Sequence, residues 1–187
     1  MRVIDTSLPQ VKIVLAERIA DARGFLSEVW NAREFTSAGI EARFVQDNHV
    51  CNPHKGTVRG LHYQIVPSAQ GKLLRVTRGA IFDVAVDIRR GSPTFGRYAD
   101  AVLSAENWFQ LWIPPGIAHG YCTLEDDTEV QYKATDFYSP RHDRGIAWND
   151  PDIMIKWPIT AENAILSDRD RRLPRLAQQP DLFEYGR

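Results

Sequence analysis

Cysteine is scarce in this chain: Cys51 and Cys122 are the only two among 187 residues. Two cysteines cannot build the disulfide framework that small secreted domains use in place of a core, and they fit a reducing compartment. A surplus of one charge is missing as well. Lys and Arg number 23 against 24 Asp and Glu, for a formal net charge of -1. Sequence-independent nucleic-acid binders carry a basic excess, so that class is disfavoured. No hydrophobic run approaches the roughly 20 residues of a membrane-spanning helix. Residues 1–10 hold no apolar stretch of signal-peptide length. Internal repeats, low-complexity stretches and linkers are absent too. The expectation is a cytoplasmic protein of one domain, residues 1–187, with no membrane or nucleic-acid partner. Its 43% hydrophobic and 25% charged residues are ordinary for a globular domain. A domain of this size can bury about 70% of its unfolded-chain surface, so it needs no covalent staples.

What is present is mostly strand pattern. Apolar runs at 11–15, 25–30, 44–50 and 58–64 are separated by turn signals, and 33–39 predicts a short helix stopped by Gly39. The clearest alternation is 81–88. Phe82, Val84, Val86 and Ile88 share one face, while Asp83, Ala85 and Asp87 share the other. Residues 72–77 form the preceding strand, with Arg78-Gly79 as the turn. Residues 108–113 lead into Pro114-Pro115-Gly116, and 121–124 and 128–135 follow around an acidic turn. From about residue 158 the tail is mixed, with helical turns and loops. Many short strands between turns predict an all-β sandwich or barrel.

Two of the five histidines have informative surroundings. His62 lies in the strand Arg59-Gly60-Leu61-His62-Tyr63-Gln64, and His119 follows the turn Pro115-Gly116-Ile117-Ala118. A β-barrel with histidine at the end of a P-x-G-x-x-H turn resembles the cupin double-stranded β-helix. Metal-binding cupins carry an H-x-H pair followed by a Glu; here Gln64 and Lys72 stand in for the second imidazole and the carboxylate. An ammonium opposes a metal ion at that position. The remaining His, Lys and His suit acid–base work on an anion.

An ordered set of motifs narrows the resemblance. Phe44-Val45-Gln46-Asp47-Asn48, Val58-Arg59-Gly60-Leu61-His62-Tyr63-Gln64, Gln70-Gly71-Lys72-Leu73, Ser92-Pro93-Thr94-Phe95-Gly96, Pro115-Gly116-Ile117-Ala118-His119-Gly120, Tyr132-Lys133-Ala134-Thr135-Asp136-Phe137-Tyr138 and Leu166-Ser167-Asp168-Arg169-Asp170 occur in that order. Together they resemble the dTDP-4-dehydrorhamnose 3,5-epimerase family over nearly the whole chain. The resemblance implies a cupin-like jelly-roll with a few short helices, mainly C-terminal. It implies a homodimer whose N-terminal strands are exchanged. The implied substrate is dTDP-4-dehydro-6-deoxy-D-glucose, epimerised at C3 and C5 on the route to dTDP-L-rhamnose, with no metal or redox cofactor.

The resemblance also implies roles. His62 is the base, since imidazole titrates at about 6.5. Its carboxylate partner is Asp170, with Asp168 the nearby alternative. Tyr132 is the proton donor, and alternation puts it with Val130 and Ala134 on an inward face. Lys72 shares parity with Leu74 and Val76 and would face the enolate oxygen. His119 assists there, and Asp83 has the parity to orient it. Arg23 and Arg59 match the phosphates, with Arg23 and Glu28 reaching the partner's site. Glu28, Gln46, Asp47 and Asn48 line the sugar and base region. Tyr138 stacks on thymine, and Asp143 and Arg169 contact the ligand. Arg59 and His62 have opposite parity, so both face inward only if the strand bulges at Gly60.

The chain departs from the family's pattern at Asp143 (commonly Glu), Arg169 (commonly Lys) and Cys51-Asn52-Pro53-His54 (commonly serine-rich). Rival readings are a mono-epimerase acting at C3 or C5 alone, a non-catalytic sugar-nucleotide-binding barrel, and a metal-dependent cupin. Joint retention of His62, Lys72, Tyr132 and Asp170 favours an enzyme over a binding module.

Overall fold

The computed structural model describes residues 1–186. The first strands are β1 (Arg2–Asp5) and β2 (Lys12–Leu15), then a small hairpin of β3 (Ile19–Asp21) and β4 (Gly24–Leu26). Helix α1 (Ala32–Ser37) follows. Its N-cap is Asn31, whose side chain accepts from the Arg33 amide, and Gly39 takes a left-handed φ of +79° just past its end. The barrel strands are β5 (Gln46–Asn52), β6 (Val58–Gln64), β7 (Lys72–Arg78) and β8 (Ala80–Asp87). After β9 (Arg89–Arg90) come β10 (Tyr98–Ser104), β11 (Phe109–Ile113), β12 (Ile117–Thr123), β13 (Thr128–Ala134) and β14 (Asp143–Gly145). Two 3-10 turns, Asp170–Arg172 and Leu176–Gln178, and β15 (Phe183–Glu184) complete the order.

Two antiparallel sheets face each other: β1-β2-β11-β7-β13-β5 and β10-β8-β12-β6-β14. This is the cupin-like jelly-roll. Leu74, Val76, Ile81, Ala85, Leu103, Leu111, Ile113, Ile117, Tyr121 and Val130 form the core between them. Truncating a fully buried leucine such as Leu74 to alanine costs about 2–5 kcal/mol. The outer faces are covered as well. Phe35 of helix α1 and Ile40 just beyond it lie on Val14, Leu73 and Trp112. The C-terminal segment lays Ile146, Ile153 and Leu176 on Leu61, Val84, Val86 and Ile88. The apolar parity of β8 therefore faces the tail, and the parity carrying Asp83 faces the barrel interior.

The structure corrects three expected boundaries. The apolar run at 25–30 is a strand only through Leu26. Beyond it the chain peels off the ladder, because Ser27 Oγ and the Val29 carbonyl accept from Trp108 Nε1 and Gln110 Nε2. The strand expected at 121–124 starts at Ile117 and so includes His119, since β12 begins immediately after Gly116 at φ +87°. Irregular chain begins near residue 135 rather than 158, interrupted by β14.

Candidate active site

The site begins with a local irregularity in β6. His62 pairs with His119 and Arg59 with Tyr121 across the β6–β12 ladder, so two residues of β6, Gly60 and Leu61, oppose the single Gly120. This bulge absorbs one residue and returns Arg59 and His62 to the same face, as the parity conflict required. Gly60 has φ +122°, and a Cβ there would lie 2.6 Å from Gly120 Cα. Only glycine fits this crossing.

Val50, Arg59, His62, Lys72, His119, Tyr121 and Tyr132 line one cavity of about 150 Å³ between the sheets. Both histidines are held by carboxylates. Asp170 Oδ1 is 2.7 Å from His62 Nε2, and its Oδ2 accepts from the Gly60 amide of the bulge at 3.3 Å. Asp170 is buried on the first 3-10 turn, while Asp168 is exposed; the open choice between them falls to Asp170. Asp83, fully buried, places both carboxylate oxygens 3.1 Å from His119 Nε2.

Burial and charge set the proton affinities. Burial works against the Asp170 carboxylate, but the His62 hydrogen bond and charge hold it below its ordinary value. An ionised Asp170 puts the His62 proton on Nε2 and leaves Nδ1 as the basic atom. Burial pushes Asp83 above the usual carboxylate range despite the pull of His119 and Lys72. Lys72 is lowered to about 8 because burial penalises its ammonium, with Asp143 and then Asp83 drawing it back. Burial raises the Tyr132 phenol, partly offset by Arg59, so it keeps its proton at neutral pH. One cavity thus holds two imidazoles, a phenol that keeps its proton and an ammonium.

Around its mouth, Gln46 Nε2 donates to Asn48 Oδ1, and Gln46 Oε1 accepts from the Tyr138 amide. The Tyr138 hydroxyl and Arg169 both meet Asp143 Oδ2, at 3.1 and 2.8 Å. Among the described residues, the buried Asn48 Nδ2 has no hydrogen-bond partner. Such an orphaned donor is uncommon. Gln64 is committed elsewhere: its amide binds the backbone of Ser68, Phe137 and Ser139 and pins the neighbouring loop. Among the described residues, no group of three or more His, Cys, Asp or Glu could hold a metal ion.

Comparison with known proteins places this geometry. The family model described as dTDP-4-dehydrorhamnose 3,5-epimerase matches residues 5–178. The chain belongs to that family. It is 52% identical over 171 residues to the dTDP-4-dehydrorhamnose 3,5-epimerase of Shigella flexneri, covering 91% of this chain and 93% of that protein. The crystal structure of the Legionella pneumophila dTDP-6-deoxy-D-glucose-3,5-epimerase, in complex with dTDP-4-keto-L-rhamnose, superposes with a TM-score of 0.94. It is 42% identical and covers 100% of this chain and 99% of that one. A 3'-monoepimerase of Streptomyces bikiniensis, in complex with dTDP-quinovose, matches at 33% identity and a TM-score of 0.86. That match covers 92% of this chain and 87% of that one.

Within this epimerase-family fold, not every anticipated residue reaches the cavity. Strand alternation turns Asp47 to the outer face of its sheet, where it pairs with Lys133 at 3.0 Å. Arg23 sits in the β3–β4 turn, 89% exposed and paired with Asp21. Glu28 is exposed and accepts from Asn31 at 2.9 Å. Both stand apart from the cavity of their own chain. Conversely, Tyr121 and Val50 line it without being anticipated, and Asn52, also unanticipated, stands behind it, bound to Arg59 and Tyr121. Tyr121 shares strand parity with His119, and Asn52 shares it with Asn48; that was the signal available.

Proposed function

We propose that this protein epimerises dTDP-4-dehydro-6-deoxy-D-glucose at C3 and C5 to dTDP-4-dehydro-L-rhamnose, a step toward dTDP-L-rhamnose. The observation that carries the proposal is the convergence of the His62–Asp170 pair, Lys72 and Tyr132 on one cavity. The C4 ketone of this sugar acidifies the protons on C3 and C5. His62 Nδ1 removes one of them, and the electron pair passes into the carbonyl to give an enolate. Asp170 stabilises the resulting imidazolium. Lys72 and His119 supply positive charge and a donor beside the C4 oxygen, which is worth most where water is excluded. Tyr132 then gives its proton to the carbon from the opposite face, and solvent restores both groups.

The remaining residues hold the nucleotide. Arg59 takes the diphosphate, since a guanidinium fork matches phosphate oxygens. Gln46 and Asn48 line the sugar and base region, and Tyr138 offers a ring to thymine. Asp143 and Arg169 bind through the polar cluster at the mouth. Arg23 and Glu28 complete the partner's site in a homodimer that exchanges its N-terminal strands. Asp47, facing outward, acts only through its pair with Lys133. A cytoplasmic location belongs to the same proposal; no helix among the described residues is long and apolar enough to cross a membrane.

Solvent exchange tests the mechanism. The substrate, incubated with the protein in heavy water, is expected to gain deuterium at C3 and C5 by NMR. H62A is expected to lose this by about 10²–10⁴-fold, the usual range for a general base. Exchange at a single carbon would make the protein a mono-epimerase, and no exchange would reduce it to a binding barrel. Y132F separates the two proton steps. His62 can still return a deuteron to the face it came from, so exchange is expected to outlast inversion.

A further inference from the structure

Asn52 lies at the end of β5, fully buried, and the mechanism above does not use it. Its amide nitrogen donates to the Thr128 carbonyl at 3.1 Å, which fixes the direction of the amide. Its Oδ1 therefore faces the cavity wall. There it accepts from Arg59 Nε at 2.8 Å and, at the limit of reach, from the Tyr121 hydroxyl at 3.4 Å. One buried side chain thus ties the backbone of β13 to donors on β6 and β12.

Arg59 itself is exposed at the cavity mouth. A free guanidinium can grip a phosphate side-on, through Nε and one Nη, or end-on, through both Nη groups. Committing Nε to a buried acceptor closes the first mode. It also removes the freedom that a long exposed side chain would otherwise lose on binding. We propose that Asn52 is a positioning residue that anchors Arg59 through Nε, so that the guanidinium meets the diphosphate end-on. This rests on the reading of Arg59 as the diphosphate contact.

Calorimetry with dTDP tests it, because dTDP carries the diphosphate without the reacting sugar. Wild-type protein is expected to bind dTDP, and N52A to bind it about tenfold more weakly. KM should rise by a similar factor with kcat within about twofold, as for loss of binding energy common to ground and transition states. In an R59A background, adding N52A should weaken dTDP no further. Equal affinity of N52A and wild type, an equal loss in both backgrounds, or a fall in kcat alone would overturn the proposal. Failure of the wild type to bind dTDP would remove the reading beneath it, and that shows before any variant is made. A measurement on the wild type guards against a misfolded variant. The Arg59 Nε–H resonance, assigned by its loss in R59A, should exchange slowly with solvent. Exchange as fast as in an exposed arginine would also overturn the proposal.

Discussion

Lys72 meets two opposed demands. The proposed stabilisation of the enolate needs its positive charge, and the surrounding core penalises that charge. The compromise is an ammonium lowered to about 8 by burial, kept from falling further by Asp143 and Asp83. As pH rises through about 8 the cation is lost, so kcat/KM, which reports the groups of the free protein, should decline on a basic limb near that pH, well below the ordinary lysine value of about 10.4. Asp143→Asn removes the larger of the two attractions and should move this limb to lower pH, which a kcat/KM profile from pH 6 to 10 measures. Stability has the opposite sign. Between about 8 and the unfolded lysine value, the unfolded chain binds a proton that the folded chain lacks, so Lys72 makes the fold more stable as pH rises through that window. K72M should therefore abolish turnover yet melt at or above the wild-type temperature, the usual trade between function and stability. A lower Tm would mean that the neighbouring carboxylates outweigh the burial cost.

At the scale of elements, the β6 bulge decides whether a site exists. Gly60 adopts φ +122° with the Gly120 backbone against the place of its missing side chain. Gly91 has φ +79° but nothing within 4 Å of an added Cβ. Alanine at 91 therefore incurs backbone strain alone, about 1–3 kcal/mol. Alanine at 60 adds a clash with the β12 backbone and displaces the amide that donates to Asp170. G60A should lose more stability than G91A in urea melts and should lower kcat by on the order of 10²-fold, because both His62 and Asp170 shift. The need for this bulge was legible in the sequence: Arg59 and His62 could not otherwise share a face. The barrel strands were legible to within two residues at each end wherever alternation was strong, as in β8 and β13. Long-range docking was not. Residues 27–30 read as strand until Trp108 and Gln110 claim their polar groups. Asp47 matches a binding motif, yet pairing with β13 turns it outward. For Asn52 the sequence offered only its strand parity with Asn48, because its partners lie 7, 69 and 76 residues away.

For the whole molecule, the β3–β4 hairpin is the feature that one chain leaves unexplained. It belongs to neither large sheet, and it exposes Ile19 at 64%, Phe25 at 51% and Leu26 at 67%. A cluster of apolar side chains on an isolated hairpin marks an interaction surface. Arg23 and Glu28 travel with it, away from the cavity of their own chain. Strand exchange in a homodimer would bury the apolar side chains and carry both polar residues to the partner's cavity. Mixed dimers separate this from a merely structural role. R23A lacks the residue donated to the partner, and H62A lacks the base of its own cavity. Each homodimer is then damaged at both sites. A hybrid of the two pairs the intact Arg23 of one subunit with the intact His62 of the other, and so restores one complete site. Random reassociation makes about half the dimers hybrid, so refolding an equal mixture should recover about a quarter of wild-type activity. If Arg23 serves its own chain instead, the same hybrid has both defects in place, and mixing recovers nothing beyond the two parent variants.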